Sequence, residues 1–289
     1  MFTEQTAMFI YAVSPLHMGA GSAVGLIDNP IQREVHTDWP TMAGSGIKGA
    51  IRHALCSLEG WKNGKCTAIF GPEPRPGVEL HAGAVSFTDA QVVCFPVRSL
   101  KRAYVYATCP TALARLKRLT NAGWQAPRVD EQEALIANDD LKQDRHLILE
   151  ALAFNANKQD VVATIAEALA EKALPEGFFF DKLKKDLVIL SDTDFTYFVK
   201  NSTLVEPHVC IDDKTGTAKG TGLFYTENLP PETLLISLAM ASKVRDGKTR
   251  MEAEQVIEEI EKVLNNGKVW QFGGDATTGR GLVMLRVAK

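Results

Sequence analysis

The chain has no apolar run long enough to span a membrane, no C-x-x-C pair, no internal repeat, no low-complexity tract and no excess of positive charge. Each absence removes a class of protein. A bilayer-crossing helix needs about 20 consecutive apolar residues, and the N-terminus lacks the basic segment, apolar stretch and small-residue cleavage site of an export signal. The expected location is therefore cytoplasmic, with no membrane partner. The five cysteines, Cys56, Cys66, Cys94, Cys109 and Cys210, lack the spacing of a zinc ribbon or of a secreted disulfide framework and are expected as buried thiols. With 32 Lys and Arg against 35 Asp and Glu, the net charge of -3 offers none of the overall basic field of a freestanding nucleic-acid binder.

What is there points elsewhere. A hydrophobic content of 45% over 289 residues is ample for a core. Charge is unevenly placed: Arg98, Lys101, Arg102, Arg115, Lys117 and Arg118 crowd one region, and Glu252, Glu254, Glu258, Glu259 and Glu261 acidify another. A local basic groove can bind RNA on a net-acidic chain, although a charge run is usually a solvated face. The stretch from Ser14 to Leu55 strings together a glycine-flanked loop (S-P-L-H-M-G-A-G, running on through Gly25 to Asp28, Asn29 and Pro30) and a helix opened by G-S-G-I-K-G. Helix N-termini with exposed amides attract phosphates, and Lys48 and Arg52 lie one turn apart beside them. Ser45, Gly46, Lys48 and Arg52 thus read as a seat for a polyanion backbone.

Thr6 to Val13 is an apolar, β-branched and aromatic run that suits a buried strand. Ile47, Ile51, Leu55 and Leu58 recur at helical spacing over Ser45 to Leu58. Val85 to Phe95 reads as strands, Leu234 to Met240 as another, and Leu282 to Val287 as a last one. The final helix is marked by a capping box of Thr249 and Glu252, by a stripe of Val256, Ile257, Ile260, Val263 and Leu264, and by Gly267 as its stop. Together these give an α+β chain whose early strand-helix-strands and late strand-helix-strand suit a ferredoxin-like, RRM-type βαββαβ layout. Residues 112–190 do not fit it and read as a mainly helical insertion within a single domain of residues 1–289, whose core is 1–111 and 191–289. Val205 to Phe224 reads as a projecting hairpin turned by Asp212, Asp213, Lys214, Thr215 and Gly216.

The Ser14 to Leu55 stretch, together with G-A-V-S-F-T-D-A-Q-V-V-C-F-P-V-R-S from Gly83, G-L-F-Y-T-E-N-L-P-P-E-T from Gly222 and F-G-G-D-A-T-T-G-R-G-L from Phe272, resembles the RAMP superfamily of CRISPR proteins. Within it the likeness is to the repeated backbone subunit of the type III-B (Cmr) effector complex. Four ordered segments cover nearly the whole chain apart from residues 112–190. The resemblance implies a ferredoxin-like palm, a β-hairpin thumb at about 205–224, and polymerisation of the chain with copies of itself along guide CRISPR RNA. It also implies further subunits of the complex and cleavage of complementary single-stranded target RNA.

Taken alone, Asp-Asn-Pro is most often a turn. The resemblance instead makes Asp28 the catalytic residue, and it is the only carboxylate between Glu4 and Glu34. An ordinary aspartate is a poor proton acceptor at neutral pH. It suits better a role as ligand or orienter of a hydrated Mg²⁺ that assists attack of the RNA 2′-hydroxyl on the adjacent phosphate. His17, in the same loop, has a side chain suited to general acid or base work. Tyr225 and Glu227, after the hairpin, are expected to reach the scissile region from the other side. The sequence departs from the family there, with Thr226, Glu227 and Asn228 where an acidic-acidic-Tyr stretch is expected before Leu229.

Gly274 to Gly279 has the G-x-x-x-x-G spacing of a nucleotide P-loop. Arg280 and Gly281 stand where Lys and Ser or Thr are required, and a strand follows rather than a helix. The expectation is that Gly273, Gly274, Gly279 and Gly281 approach the guide RNA backbone with Arg280. Two other functions remain open at this point: a non-catalytic RNA-scaffolding filament, and a freestanding nuclease that processes precursor guide RNA.

Overall fold

A computed structural model describes residues 1–62 and 64–288, so Asn63 and Lys289 lie outside the described residues. The first strand, β1 (Glu4–Ala12), is buried over its last seven residues. Met8, Ile10 and Ala12 enter one core layer, and Ala7, Phe9 and Tyr11 the other. Successive side chains of a strand leave on opposite faces, so an unbroken apolar run is what a strand covered on both faces requires.

A long loop and β2 (Thr41–Met42) lead to α1 (Gly44–Ser57), which buries Ile47, Ile51 and Leu55. Leu58, expected on the same stripe, lies just past the helix and is partly exposed. Next come α2 (Lys65–Phe70), β3 (Val85–Phe87), β4 (Ala90–Arg98), β5 (Tyr104–Thr108) and α3 (Pro110–Thr120). The middle of the chain supplies β6 (Glu133–Ile136), β7 (His146–Leu149), β8 (Leu152–Lys158), α4 (Asp160–Ala173), α5 (Phe178–Asp186), β9 (Leu187–Leu190) and α6 (Asp192–Asn201). The last part holds β10 (Leu204–Ile211), β11 (Ala218–Asn228), β12 (Leu234–Ala241), α7 (Ala253–Leu264), β13 (Val269–Gln271) and β14 (Leu282–Ala288).

One mixed sheet runs in the order β13-β14-β1-β12-β4-β5-β9-β6-β8-β7, with β2 on β4 and β3 on β12. Its pairs are antiparallel except β5 with β9 and β6 with β8. Helices α1 and α7 contribute to the layer that takes Met8 and Ile10, and α3 and α4 contribute to the layer that takes Phe9 and Tyr11. β10 and β11 stand apart as a two-stranded hairpin. At its tip Asp212 Oδ1 accepts from the amides of Lys214 and Thr215 at 3.0 Å each, which holds its carboxyl below the usual range. Among the described residues no helix is long and apolar enough to cross a membrane.

The structure changes three sequence expectations. Residues 112–190 are not mainly helical: they carry β6 to β9 as well as α3 to α5, and all four strands join the main sheet. The capping box at the start of α7 is Glu252 with Gln255, because Thr249 is taken by the Asp246 turn, where both its amide and its hydroxyl donate to that carboxylate. Cys56 and Cys66 are bonded as a disulfide with Cα atoms 5.4 Å apart, since the turn around Trp61 folds α2 back beside the end of α1. Cys94 and Cys109 are buried thiols as expected, and Cys210 on the hairpin is exposed.

Candidate active site

The loop after β1 leaves the sheet at Val13 and is stitched to the foot of the hairpin. Leu16 and Leu229 exchange backbone hydrogen bonds at 3.0 and 2.9 Å, and Gly19 bridges Ile31, so residues 18–32 form a narrow out-and-back ribbon. Ala23 N–H donates to Asp28 carbonyl oxygen at 2.9 Å and closes its tip. On the return limb, Asn29 N–H donates to Tyr225 O and Glu227 N–H to Asn29 O, both at 3.0 Å. Asp28 is thereby set against β11, where its Oδ2 accepts the Tyr225 amide at 2.8 Å.

His17 lies on the outgoing limb. Its Nδ1 is 2.7 Å from the carbonyl oxygen of Glu227. A carbonyl can only accept, so Nδ1 carries the proton and the lone pair of the neutral ring sits on Nε2, the tautomer needed to receive a proton. A Cβ at Gly19 would come within 2.9 Å of that Nε2, and one at Gly274 within 3.2 Å of Cδ2. These two glycines leave the ring its place.

His17, Asp28, Tyr225 and Glu227 are thus brought together from chain positions about 200 residues apart, but not in the roles expected for all four. The Glu227 side chain is buried. Its Oε1 accepts from Arg33 Nη2 at 2.6 Å and Thr203 Oγ1 at 2.8 Å, and its Oε2 from the Ile31 amide at 3.1 Å. A buried carboxylate so fully engaged braces the loop from inside the protein, where a direct reach to a scissile bond was expected. Tyr225 holds Asp28 through its main chain and is itself half-buried.

Asp28 makes no ion pair among the described residues, and one of its oxygens is committed to the Tyr225 amide. Among the described residues no three His, Cys, Asp or Glu side chains gather. This donor set does not fit an ion held by protein alone. It is compatible with a hydrated Mg²⁺ for which Asp28 would be the one protein ligand.

The C-terminal glycine loop is built against the N-terminal loop. Gly274 N–H donates to His17 O at 2.9 Å, Gly281 N–H to Pro15 O at 2.8 Å and Gly279 N–H to Ala276 O at 3.1 Å. Gly273 has φ +74° and a Cβ there would overlap the His17 carbonyl oxygen. Arg280 Nη2 pairs with Glu206 Oε2 of the hairpin at 2.7 Å. Three of the four glycine amides and the arginine expected to meet RNA therefore have partners inside the protein, and Gly273 and Gly281 serve close packing of backbone on backbone.

At the start of α1 the Gly44 amide is also taken, by Asp89 Oδ1 at 2.7 Å, and a Cβ at Gly44 would overlap Phe87 O. The anchoring of this helix by a side chain 45 residues away is not visible in its own sequence. Ser45 and Gly46 are exposed in the next positions. Lys48 has its ammonium pKa lowered by burial and then by the charge of Arg52, and among the described residues no carboxylate pairs with it. Arg52 is only loosely engaged, 3.9 Å from Glu73. A half-desolvated Lys48 with no paired carboxylate, beside a loosely paired Arg52, is a group that an anion would stabilise. Between this helix and the His17 loop runs a cleft of about 510 Å³ lined by Met18, Gly19, Gln32, Gly46, His53 and Gly273, among others.

Against this geometry, the sequence profile of the RAMP superfamily matches residues 9–284. The chain belongs to the RAMP superfamily. Among RAMP proteins it is 35% identical over 283 residues, 96% of this chain and 93% of the other, to the CRISPR system Cmr endoribonuclease Cmr4 of Pyrococcus furiosus. A CRISPR system CMR subunit Cmr4 of Saccharolobus solfataricus is 25% identical over 99% of this chain and 97% of its own. The crystal structure of oligomeric Cmr4 from Pyrococcus furiosus superposes with a TM-score of 0.75 at 29% identity, covering 98% of this chain and 97% of that one. Arg33, Thr203 and Asp89, which fix the RAMP loop and helix in place here, carry no local sequence signal, since each acts on a partner distant in the chain.

Proposed function

We propose that this chain is a backbone subunit of a type III-B CRISPR effector complex that lies along guide CRISPR RNA with copies of itself and other subunits. On this reading it cuts complementary single-stranded target RNA at the Asp28 loop and works in the cytoplasm. The observation that carries the reading is the Asp28 carboxylate held by the Tyr225 amide at the foot of a projecting hairpin, on the same loop after β1 as a His17 whose Nε2 is left to accept a proton. It is supported by a 35% identical relative called an endoribonuclease and by a related crystal structure described as oligomeric. Sequence choice then belongs to base pairing with the guide.

The sheet order β14-β1-β12-β4, all antiparallel, with α1 joining β1 to the β3–β4 region and α7 joining β12 to β14 on one face, supports reading these elements as the ferredoxin-like palm. Residues 112–190 then form an insertion that extends the palm sheet, and β10–β11 is the thumb.

The reaction is attack of the 2′-oxygen on the adjacent phosphorus: the 2′-O–P bond forms, the P–O5′ bond breaks, the upstream fragment keeps a 2′,3′-cyclic phosphate, and the downstream O5′ leaves and takes a proton from water to become a 5′-hydroxyl. His17 Nε2 is the atom suited to take the 2′-hydroxyl proton, and Asp28 orients the reacting phosphate region. A bound Mg²⁺ would supply neutralisation of charge on that phosphate, with Asp28 as its protein ligand. The test is to purify the assembled complex, sequence the RNA it retains, and add RNA complementary to it. Retained guide-like RNA and cutting of the complement support the reading, whereas binding of the complement without cutting would leave a scaffold only.

Lys48 and Arg52, with the exposed Ser45 and Gly46, hold guide phosphates on this reading. Replacing both basic residues with Ala should weaken RNA binding alike for all guide sequences. Two lost single-strand phosphate contacts should flatten the slope of log K against log salt by roughly 1.4. A salt titration that gives the native slope would show the pair to be surface charge alone.

A further inference from the structure

Arg33 has no place in the cleavage chemistry described above, yet its side chain ties three places in the chain together. Its Nη2 donates to Glu227 at 2.6 Å, and its Nη1 to the carbonyl oxygens of Asp38 at 2.8 Å and Val199, near the end of α6, at 3.2 Å. The two side chains of the pair are 17% and 4% exposed. Glu227 in turn uses every part of itself: its carboxylate holds the Ile31 amide and the Thr203 hydroxyl, its own amide holds Asn29 O, and its carbonyl holds His17 Nδ1.

We propose that Arg33 is a positioning residue for cleavage, acting through Glu227 as a strut that presents Asp28 and His17 from one rigid frame. The inference rests on the functional reading above. The physical reason lies in the cost of burying a carboxylate, which is high unless the charge is paired and hydrogen-bonded. Without Arg33, Glu227 must bind a proton or turn toward water. Either change loosens the foot of β11, and with it the Asn29 and His17 contacts made by the main chain of the same residue. Asp28 precedes Asn29 directly, so its carboxylate moves with that contact. A displacement of about 1 Å at reacting groups costs on the order of 100-fold in rate.

The test uses the assembled complex with Arg33→Ala, Arg33→Lys and Asp28→Asn. Arg33→Ala should slow single-turnover cutting of bound target by roughly 10- to 100-fold, with guide retention and target Kd within about 2-fold of native, a split that general unfolding would not produce. Added guanidinium ion at non-denaturing concentration should restore part of the rate in Arg33→Ala and none in Asp28→Asn, and Arg33→Lys should fall between native and Ala. Hydrogen exchange gives a readout independent of activity: the amides of Asn29 and Ile31 should exchange faster in Arg33→Ala, with β1 and α7 unchanged. Native cutting, absent guanidinium rescue, or unchanged exchange at Asn29 and Ile31 overturns the strut. A native complex that fails to cut, while exchange at these amides still responds to Arg33→Ala, overturns the functional reading instead.

Discussion

Asp28→Asn is expected to lower cleavage of target RNA at least about 100-fold in the assembled complex, with guide retention, assembly and target binding at native levels. The asparagine side-chain oxygen can still accept the Tyr225 amide that Asp28 Oδ2 accepts at 2.8 Å, so the loop keeps its anchor and only the charge is lost. Thermal unfolding should therefore shift little, as for substitutions within about 0.5 kcal/mol. The measurement is single-turnover cutting of end-labelled target beside a melting curve for each variant. Native cutting by Asp28→Asn would make Asp28 a turn residue and the chain a scaffold.

Gly273→Ala should have a large effect on the fold of the site. The residue sits at φ +74°, and its added Cβ would overlap the carbonyl oxygen of His17. A left-handed conformation costs a non-glycine residue about 1–2 kcal/mol, and the overlap adds to that because the neighbour is backbone, not a flexible side chain. A total of about 2 kcal/mol or more corresponds to a fall in Tm of roughly 5 °C. The His17 segment must shift to relieve the overlap, so cutting should fall with Tm even though Gly273 need not touch RNA. Gly279→Ala is the control: its φ is +80° but nothing lies within 4 Å of its Cβ, so the conformational cost remains without the collision. Calorimetry of the two variants that gave equal losses would mean that close packing on His17 is not what the glycine at 273 serves.

The elements that could be read from sequence are those whose pattern is local. β1 announced itself as an apolar run because both of its faces are covered. α1 and α7 showed three- and four-residue spacing of buried residues, and the hairpin was marked by the Asp212 to Gly216 turn. The middle is less legible because β6, β7 and β9 are four residues each, and two pairings, β5 with β9 and β6 with β8, are parallel contacts between strands that do not follow one another in the chain. No window of sequence shows such a pairing.

The site divides in the same way. Asp28 and His17 could be picked out from one loop, with the family resemblance to weigh Asp28 against a turn. The role of Glu227 could not, because it is decided by burial and by an arginine 194 positions away. The glycine loop near the C-terminus was legible as a loop needing glycine. That its close neighbour is the His17 segment, and not a phosphate, is a tertiary fact. Asp89 capping α1 from the turn between β3 and β4 belongs to the same class.

The most direct test of the account is a target RNA carrying a single 2′-deoxy sugar at one cut position, given to the native assembled complex with divalent ion present. The account predicts that this position stays uncut while the other positions are cut at native rates, and that the upstream fragments end in 2′,3′-cyclic phosphate with 5′-hydroxyl on their downstream partners. Cutting at the deoxy position at the native rate, with a 3′-hydroxyl left behind, would contradict it.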